Sequence, residues 1–151
     1  MRRYSYLLVL LLLVVGIASA FGYYYNIAAS QIRASVGERF PPIRVDGWNV
    51  NKLQCLVVVK NGCAYCQMLE ANLETLFLEK PEWREKTTFL AIDEPPIELE
   101  QKCLIFHSEE NEVRFGVTPQ VFFLNEKGIV VRKHLGVVST QTLKKDFEAR
   151  F

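Results

Sequence analysis

The chain has 151 residues, half of them hydrophobic, and a formal net charge of +1. That length allows one domain with its own core plus a targeting segment. The near-neutral balance, with no basic run interleaved with aromatics, gives no electrostatic basis for binding nucleic acid.

Met1-Arg2-Arg3 opens the chain with positive charge, Leu7 to Ala20 carries none, and Phe21-Gly22-Tyr23-Tyr24-Tyr25 closes the apolar run with aromatics. Two readings fit. Ala18-Ser19-Ala20 has the small-x-small form of a signal-peptide cleavage site, and cleavage at Ala20 would give a secreted protein. Counted from Tyr4 to Tyr25, the run is long enough to span a bilayer with tyrosines at the interface. Its continuation past Ala20 favours this uncleaved anchor. Either way Arg2 and Arg3 stay inside, and everything after Tyr25 goes outside, where disulfides persist. Residues 1–25 are therefore expected as a signal anchor or signal peptide, 26–37 as a tether and 38–151 as the folded domain, membrane-anchored and extracytoplasmic.

Pro41-Pro42 blocks helix and Asp46-Gly47 signals a turn. Ile43 and Val45 alternate with charge, which predicts a short edge strand or hairpin. Cys55 to Lys60 is continuous, β-branched and apolar, the pattern of a central strand covered on both faces. Met68, Leu69, Leu73, Leu76 and Phe77 then repeat at helical spacing, and the helix should stop near Glu79-Lys80-Pro81. Thr87 to Asp93 reads as a second strand. Ile97 to His107, with Leu99, Cys103, Leu104 and Phe106, reads as a helix over the sheet, and Glu109 to Phe115 as a short charged helix. Val121-Phe122-Phe123-Leu124 and Ile129 to Leu135 form a hairpin about the turn Asn125 to Gly128. Ser139 or Thr140 caps a last helix through Phe151, with Leu143 and Phe147 as its buried stripe.

The chemistry concentrates where the first strand gives way to the first helix, at Asn61-Gly62-Cys63-Ala64-Tyr65-Cys66. A thiol at the first turn of a helix faces unpaired N–H groups and the positive end of the helix dipole, which favours thiolate over thiol. Cys63 is thus expected to be the attacking sulfur and Cys66, one turn further in and less exposed, the resolving one. A structural disulfide is the competing reading. Closing so small a loop removes little unfolded-state entropy, which favours redox chemistry. Lys60 can act on Cys63 or stand as a solvated strand-end charge. Cys55 and Cys103 can pair in a second disulfide or stay as buried thiols. His134 is expected on a strand, facing solvent.

Val57-Val58-Val59-Lys60-Asn61-Gly62-Cys63-Ala64-Tyr65-Cys66 resembles the strand, loop and helix start of the thioredoxin superfamily. Phe115-Gly116-Val117-Thr118-Pro119-Gln120-Val121-Phe122-Phe123-Leu124 is similar to that family's segment with a cis-proline before a central strand. The two motifs occur in the family's order, and the resemblance runs from about Leu53 to Phe151. It implies an α/β fold: a thioredoxin-like three-layer α/β/α sandwich with a mixed central sheet, here preceded by an N-terminal hydrophobic helix. It also implies a thiol–disulfide oxidoreductase exchanging disulfides with protein substrates and with a membrane or soluble thiol reductant or oxidant. No cofactor beyond the Cys63–Cys66 disulfide is called for. Carried over from the family, Thr118 and Pro119 line the substrate site and Tyr65 contacts substrate. Glu38 to Trp48 is similar to the N-terminal extension of membrane-anchored reductases that serve cytochrome maturation.

The departures are specific. Many thioredoxins carry a buried acid on the strand before the cysteines; the matching residue here is Val57. Gly62 stands where tryptophan is frequent, and Ala64-Tyr65 replaces Gly-Pro. Tyr65 before the second cysteine and Thr118-Pro119-Gln120-Val121 look more like glutaredoxins, and the tyrosine also like periplasmic disulfide isomerases. The competing function is a copper- or other metal-binding assembly factor on the same fold, with Cys63, Cys66 and His107 or His134 as ligands. Copper chaperones of this fold have a wider cysteine spacing, and neither histidine lies in a matching motif.

Overall fold

The computed structural model describes residues 12–20, 22, 34–94, 103–111 and 115–151. The chain divides into two compact units, residues 1–31 and residues 32–151. In the first, residues 12–20 are helical. Most of the expected anchor lies outside the described residues, and among these no helix is long and apolar enough to cross a membrane.

Among the described residues the second unit has five strands: β1 (Gln54–Lys60), β2 (Thr87–Ile92), β3 (Cys103–Phe106), β4 (Gln120–Leu124) and β5 (Val130–Leu135). They lie in the order β3-β2-β1-β4-β5. β1, β2 and β3 run parallel, with Val57 opposite Phe89 and Phe89 opposite Cys103. β4 returns antiparallel to β1, with Val57 opposite Val121, and β5 is antiparallel to β4 with a bulge at Phe123/Leu124. The sheet is therefore mixed. β1 and β4 bury both faces, as their unbroken apolar runs require.

Among the described residues three helices accompany it: α1 (Ala64–Glu79), α2 (Glu82–Glu85) and α3 (Thr140–Glu148). On α1 the residues Cys66, Leu69, Glu70, Leu73, Leu76 and Phe77 turn inward, a stripe at intervals of three and four. Met68, expected on that stripe, is exposed; it sits one position off the buried face. α3 inserts Phe147 among Phe77, Trp83, Phe123 and Phe151, stacking on Trp83 at 5.0 Å between centroids. These side chains and the inward residues of β1, β2 and β4 form one core cluster. The opposite face of the sheet is covered, among the described residues, by the 34–50 segment and Phe115. Phe40, Ile43, Val45, Trp48 and Val50 pack there against Leu56, Val58, Leu90 and Phe122.

Several expectations are corrected. Cys103–Phe106 is a strand: four residues including β-branched Ile105 extend the sheet edge by pairing with β2. Residues 97–102 of the expected helix lie outside the described residues. Ser108–Glu110 forms a turn, so the short charged helix is not there; 112–114 also lie outside the description. Ile43 and Val45 form no strand. The 37–40 segment instead joins the β4–β5 turn through one bridge, Arg39 with Ile129, and the bond from Phe40 N–H to the Gly128 carbonyl at 2.8 Å. At that turn the Asn125 side-chain oxygen accepts from the amides of Lys127 and Ile129, and Gly128 takes φ +71°. A Cβ on Gly128 would also lie 3.1 Å from Val50 Cγ2, so both backbone and space call for glycine.

Candidate active site

The parallel strands β1, β2 and β3 carry their carboxyl ends to one edge of the sheet, and the cysteine loop leaves β1 there. Gly62 takes φ +68°, which reverses the chain between strand and helix at little steric cost. Cys63 is then the N-cap of α1. Its Sγ accepts the Cys66 N–H at 3.2 Å and its carbonyl accepts the same group at 2.9 Å. Cys63 and Cys66 are joined by a disulfide with Cα atoms 5.2 Å apart. The two sulfurs differ in access. Cys66 is 1% exposed, whereas Cys63 is half-buried at the surface of the core.

The Thr118–Pro119 peptide bond is cis, and Thr118 Oγ1 lies 3.7 Å from Cys63 Sγ. The two motifs, 55 residues apart, therefore meet. Tyr65, 64% exposed, stands on the outer side of the first helical turn. The loop after β5 closes the other flank. Gly136 N–H bonds the Pro119 carbonyl at 2.9 Å, and Asn72 Nδ2 on α1 bonds the Val138 carbonyl at 2.8 Å. Met68 is one turn before Asn72 and so faces the same loop. With Val117, Leu135 and Val137 it leaves exposed apolar side chains on the elements around Cys63.

Gln120, 2% exposed, braces the proline loop from below. Its Nε2 donates to the Val117 carbonyl at 2.6 Å, while its Oε1 is buried without a hydrogen-bond partner. Sequence reasoning left this residue as a family marker only.

The remaining candidates fall elsewhere. Lys60 is exposed at the end of β1 and acts on Asp93. There the Ser108 amide donates at 2.7 Å and holds the Asp93 carboxyl below its ordinary range, with His107 and Lys60 adding to the effect. His134 does not face solvent: its Nε2 lies 2.6 Å from Asp146 Oδ2 on α3, and Arg132 Nε lies 3.3 Å from the other carboxylate oxygen. An acid at position 146 on the inward face of α3 can hold a strand histidine in place, which the isolated strand pattern does not reveal. Cys55 and Cys103 are not bonded to each other. They stand on β1 and β3 with β2 between and two residues of offset, roughly 12 Å apart, beyond disulfide reach. Burial pushes the Cys103 thiol up to about 11, with the Glu70 charge adding to it. Burial also pushes the Cys55 thiol up, with Asp146 adding and a Thr87 hydrogen bond opposing. Among the described residues no group of three or more His, Cys, Asp or Glu side chains is placed to hold a metal ion.

Solved structures share this architecture. A thio-disulfide isomerase from Thermus thermophilus matches at 17% identity over 77% of this chain and 96% of its own, with a TM-score of 0.51. A thioredoxin-like protein from Bacteroides caccae matches at 16% identity over 78% of this chain and 50% of its own, TM-score 0.53. The chain has the thioredoxin fold. A structure described as a protein disulfide isomerase from Bacteroides thetaiotaomicron agrees, at 11% identity over 80% of this chain and 92% of its own, TM-score 0.55. At such identities the likeness to these thioredoxin-like structures is one of fold. No family model and no curated protein matches the sequence.

Proposed function

We propose that the protein is a thiol–disulfide oxidoreductase in which Cys63 attacks and Cys66 resolves. The observation that carries this reading is the Cys63–Cys66 disulfide capping α1 with Thr118 Oγ1 3.7 Å from Cys63 Sγ. A Cys63 thiolate gains the Cys66 N–H and the positive end of a sixteen-residue helix. That thiolate attacks a client disulfide, one client sulfur leaves with the electron pair, and a mixed disulfide forms on Cys63. Cys66 then displaces the client and re-forms the pair. The reverse sequence oxidises a client dithiol by the same bonds.

The client lies against Thr118 and Pro119, beside Cys63, with Tyr65 and the exposed apolar side chains of Met68, Val117, Leu135 and Val137 around it. Apolar rims of this kind suit extended protein segments, so the substrates are protein thiols and disulfides. The apolar leader within residues 1–25 supports an extracytoplasmic setting tethered to a membrane, where a membrane or soluble thiol partner resets the pair.

The test is a Cys66→Ala variant, which removes the resolving thiol. It is expected to accumulate mixed disulfides with client proteins through Cys63, resolved on non-reducing gels and lost on adding dithiothreitol. A variant that traps no protein, together with a Cys63 that reacts with alkylating agents no faster than a free cysteine, would falsify the reading.

A further inference from the structure

The sheet carries a stretch of edge that the exchange chemistry leaves unused. Gly136 N–H bonds the Pro119 carbonyl, so the Gly136 backbone points toward β4. Backbone direction alternates along an antiparallel pair, and Val121 opposite His134 and Gln120 opposite Leu135 continue that register. The N–H and C=O groups of Lys133 and Leu135 therefore point away from β4. Farther back the outer side of β5 is occupied. The Val130 amide bonds the Glu38 carbonyl at 2.9 Å, the Gly37 amide bonds the Val130 carbonyl at 2.8 Å, and Arg150 Nη2 bonds the Val131 carbonyl at 3.3 Å. Among the described residues no backbone group pairs with the outer side of Lys133 and Leu135. The edge is closed at its start and open at the end that leads into Gly136 and the proline loop.

Such an edge offers two donors and two acceptors in the row that strand addition uses. Its charge selects the chain it accepts. Lys133 and Leu135 share one face, and Lys133 Nζ rests 5.3 Å from the Phe122 ring centroid, in no ion pair among the described residues. Arg132 stands on the other face, and Arg150 reaches the same edge from beyond α3. The carboxylate shown against them is Asp146, already bound to His134 and Arg132. A lysine on an edge wards off other strands by its charge. The chain it admits is one of opposite sign. Two copies of this protein meeting through β5 would bring Arg132 and Lys133 of each together, like charges in opposing positions.

Resting on the thiol–disulfide reading, we propose that the open edge of β5 at Lys133 and Leu135 is a second client contact, which adds an extended acidic segment of the protein substrate as a further strand. The added strand lies two strand spacings, roughly 10 Å, from the head of β4, where Thr118-Pro119 meets Cys63. About three extended residues cover that distance, so one client segment can set its sulfur at Cys63 and its acidic side chains along β5. The contact is continuous with the exposed side chains of Leu135 and Val137 beside the sulfurs.

The probes are two peptides, each with one cysteine activated by thionitrobenzoate, a short glycine–serine spacer and a tail that alternates valine with glutamate in one and with lysine in the other. Reduced full-length protein attacks the peptide sulfur through Cys63. The Cys63–peptide bond forms, the peptide–thionitrobenzoate bond breaks, and thionitrobenzoate leaves with the electron pair and is followed by its absorbance. Hydroxyethyl disulfide, neutral and without a flanking chain, measures basal exchange. The acidic peptide is expected to react about tenfold faster than the basic one, with the ratio shrinking in roughly 0.5 M salt. Lys133→Glu should reverse the preference. Lys133→Pro, which removes an outward N–H without touching the β4 ladder, should slow the acidic peptide about fivefold. Neither variant should change exchange with hydroxyethyl disulfide. Equal rates for the two peptides, or a preference that survives in Lys133→Glu, would overturn the proposal and leave the thiol–disulfide reading standing. Hydroxyethyl disulfide reacting no faster than with free cysteine would bring down that reading instead. A dimer in sedimentation that Lys133→Pro dissociates would give the edge to a second copy and overturn the acidic partner. Should Lys133→Pro not fold, Lys133→Glu decides by itself.

Discussion

Replacing Gln120 by methionine separates the stability of the proline loop from its position. Gln120 is 2% exposed and makes one bond, from Nε2 to the Val117 carbonyl at 2.6 Å, while its Oε1 has no partner. Losing the bond costs about 0.5–1.5 kcal/mol, whereas removing a buried, unsatisfied carbonyl returns about 1–3 kcal/mol. Methionine has nearly the same length and fills the space without a polar atom. The two effects oppose each other, so Gln120→Met should leave unfolding in urea unchanged within about 1 kcal/mol, or slightly raise it. The catalytic effect has one sign only. Val117 loses its tie, the loop that carries Thr118 beside Cys63 is held less firmly, and client binding is expected to weaken. About 1 kcal/mol of lost positioning corresponds to roughly a fivefold rise in KM. The assay is exchange with a model peptide disulfide, kcat and KM read separately, beside a denaturant titration. Destabilisation by several kcal/mol would show that Oε1 is well satisfied, and an unchanged KM would show that the brace does not reach the site. Either result refutes the reasoning.

Phe147→Ala should cost about 3–5 kcal/mol, because it empties a fully buried position against Phe77, Trp83, Phe123 and Phe151; calorimetry checks this. Asp146→Ala should lower stability by about 1.5–3 kcal/mol through loss of charged hydrogen bonds to His134 and Arg132, and unfolding curves beside those of Asp146→Asn locate the loss in the charge or in the shape. Ser139→Ala removes the Oγ that accepts the Thr142 amide at 3.3 Å, and should cost about 1 kcal/mol by the same measurement. The buried thiols set an alkaline limit. Cys103 and Cys55 titrate higher in the folded than in the unfolded chain, so their contribution is complete below the ordinary thiol range near 9; that of Cys103 is lost as pH rises through about 11, and that of Cys55 falls over a wider alkaline range. Wild-type stability should therefore fall between pH 8 and 10.5 more steeply than that of a Cys55→Val, Cys103→Ala double variant, and equal slopes would contradict the burial argument.

Much of this arrangement was legible in the residues. The β-branched run at 55–60 located the central strand, and Thr118-Pro119 located the loop that meets Cys63, because both depend on local chemistry. Cys103–Phe106 was misread because four apolar residues do not distinguish an edge strand from a helix face; pairing with β2 decides it. Met68 was assigned to the core because a methionine beside leucines fits an apolar stripe, although 66, 69, 70, 73, 76 and 77 are the residues in phase. That phase also puts Glu70 inside, so the buried acid was readable had polar residues been counted by position rather than type. Asp146, in step with Leu143 and Phe147, gave the same signal. The Gln120 brace and the His134–Asp146 pair depend on how separate elements meet, which no local pattern encodes.

β1 lies third of five strands, with neighbours hydrogen-bonded on both sides. Fraying of β3 or β5 at the rims leaves those neighbours in register, so the sulfur loop is mounted on the portion of the molecule that opens only when everything opens. Amide protons of Leu56 to Val59 should accordingly be among the slowest to exchange with deuterium, and reactivity at residue 63 should survive partial loosening of the outer strands.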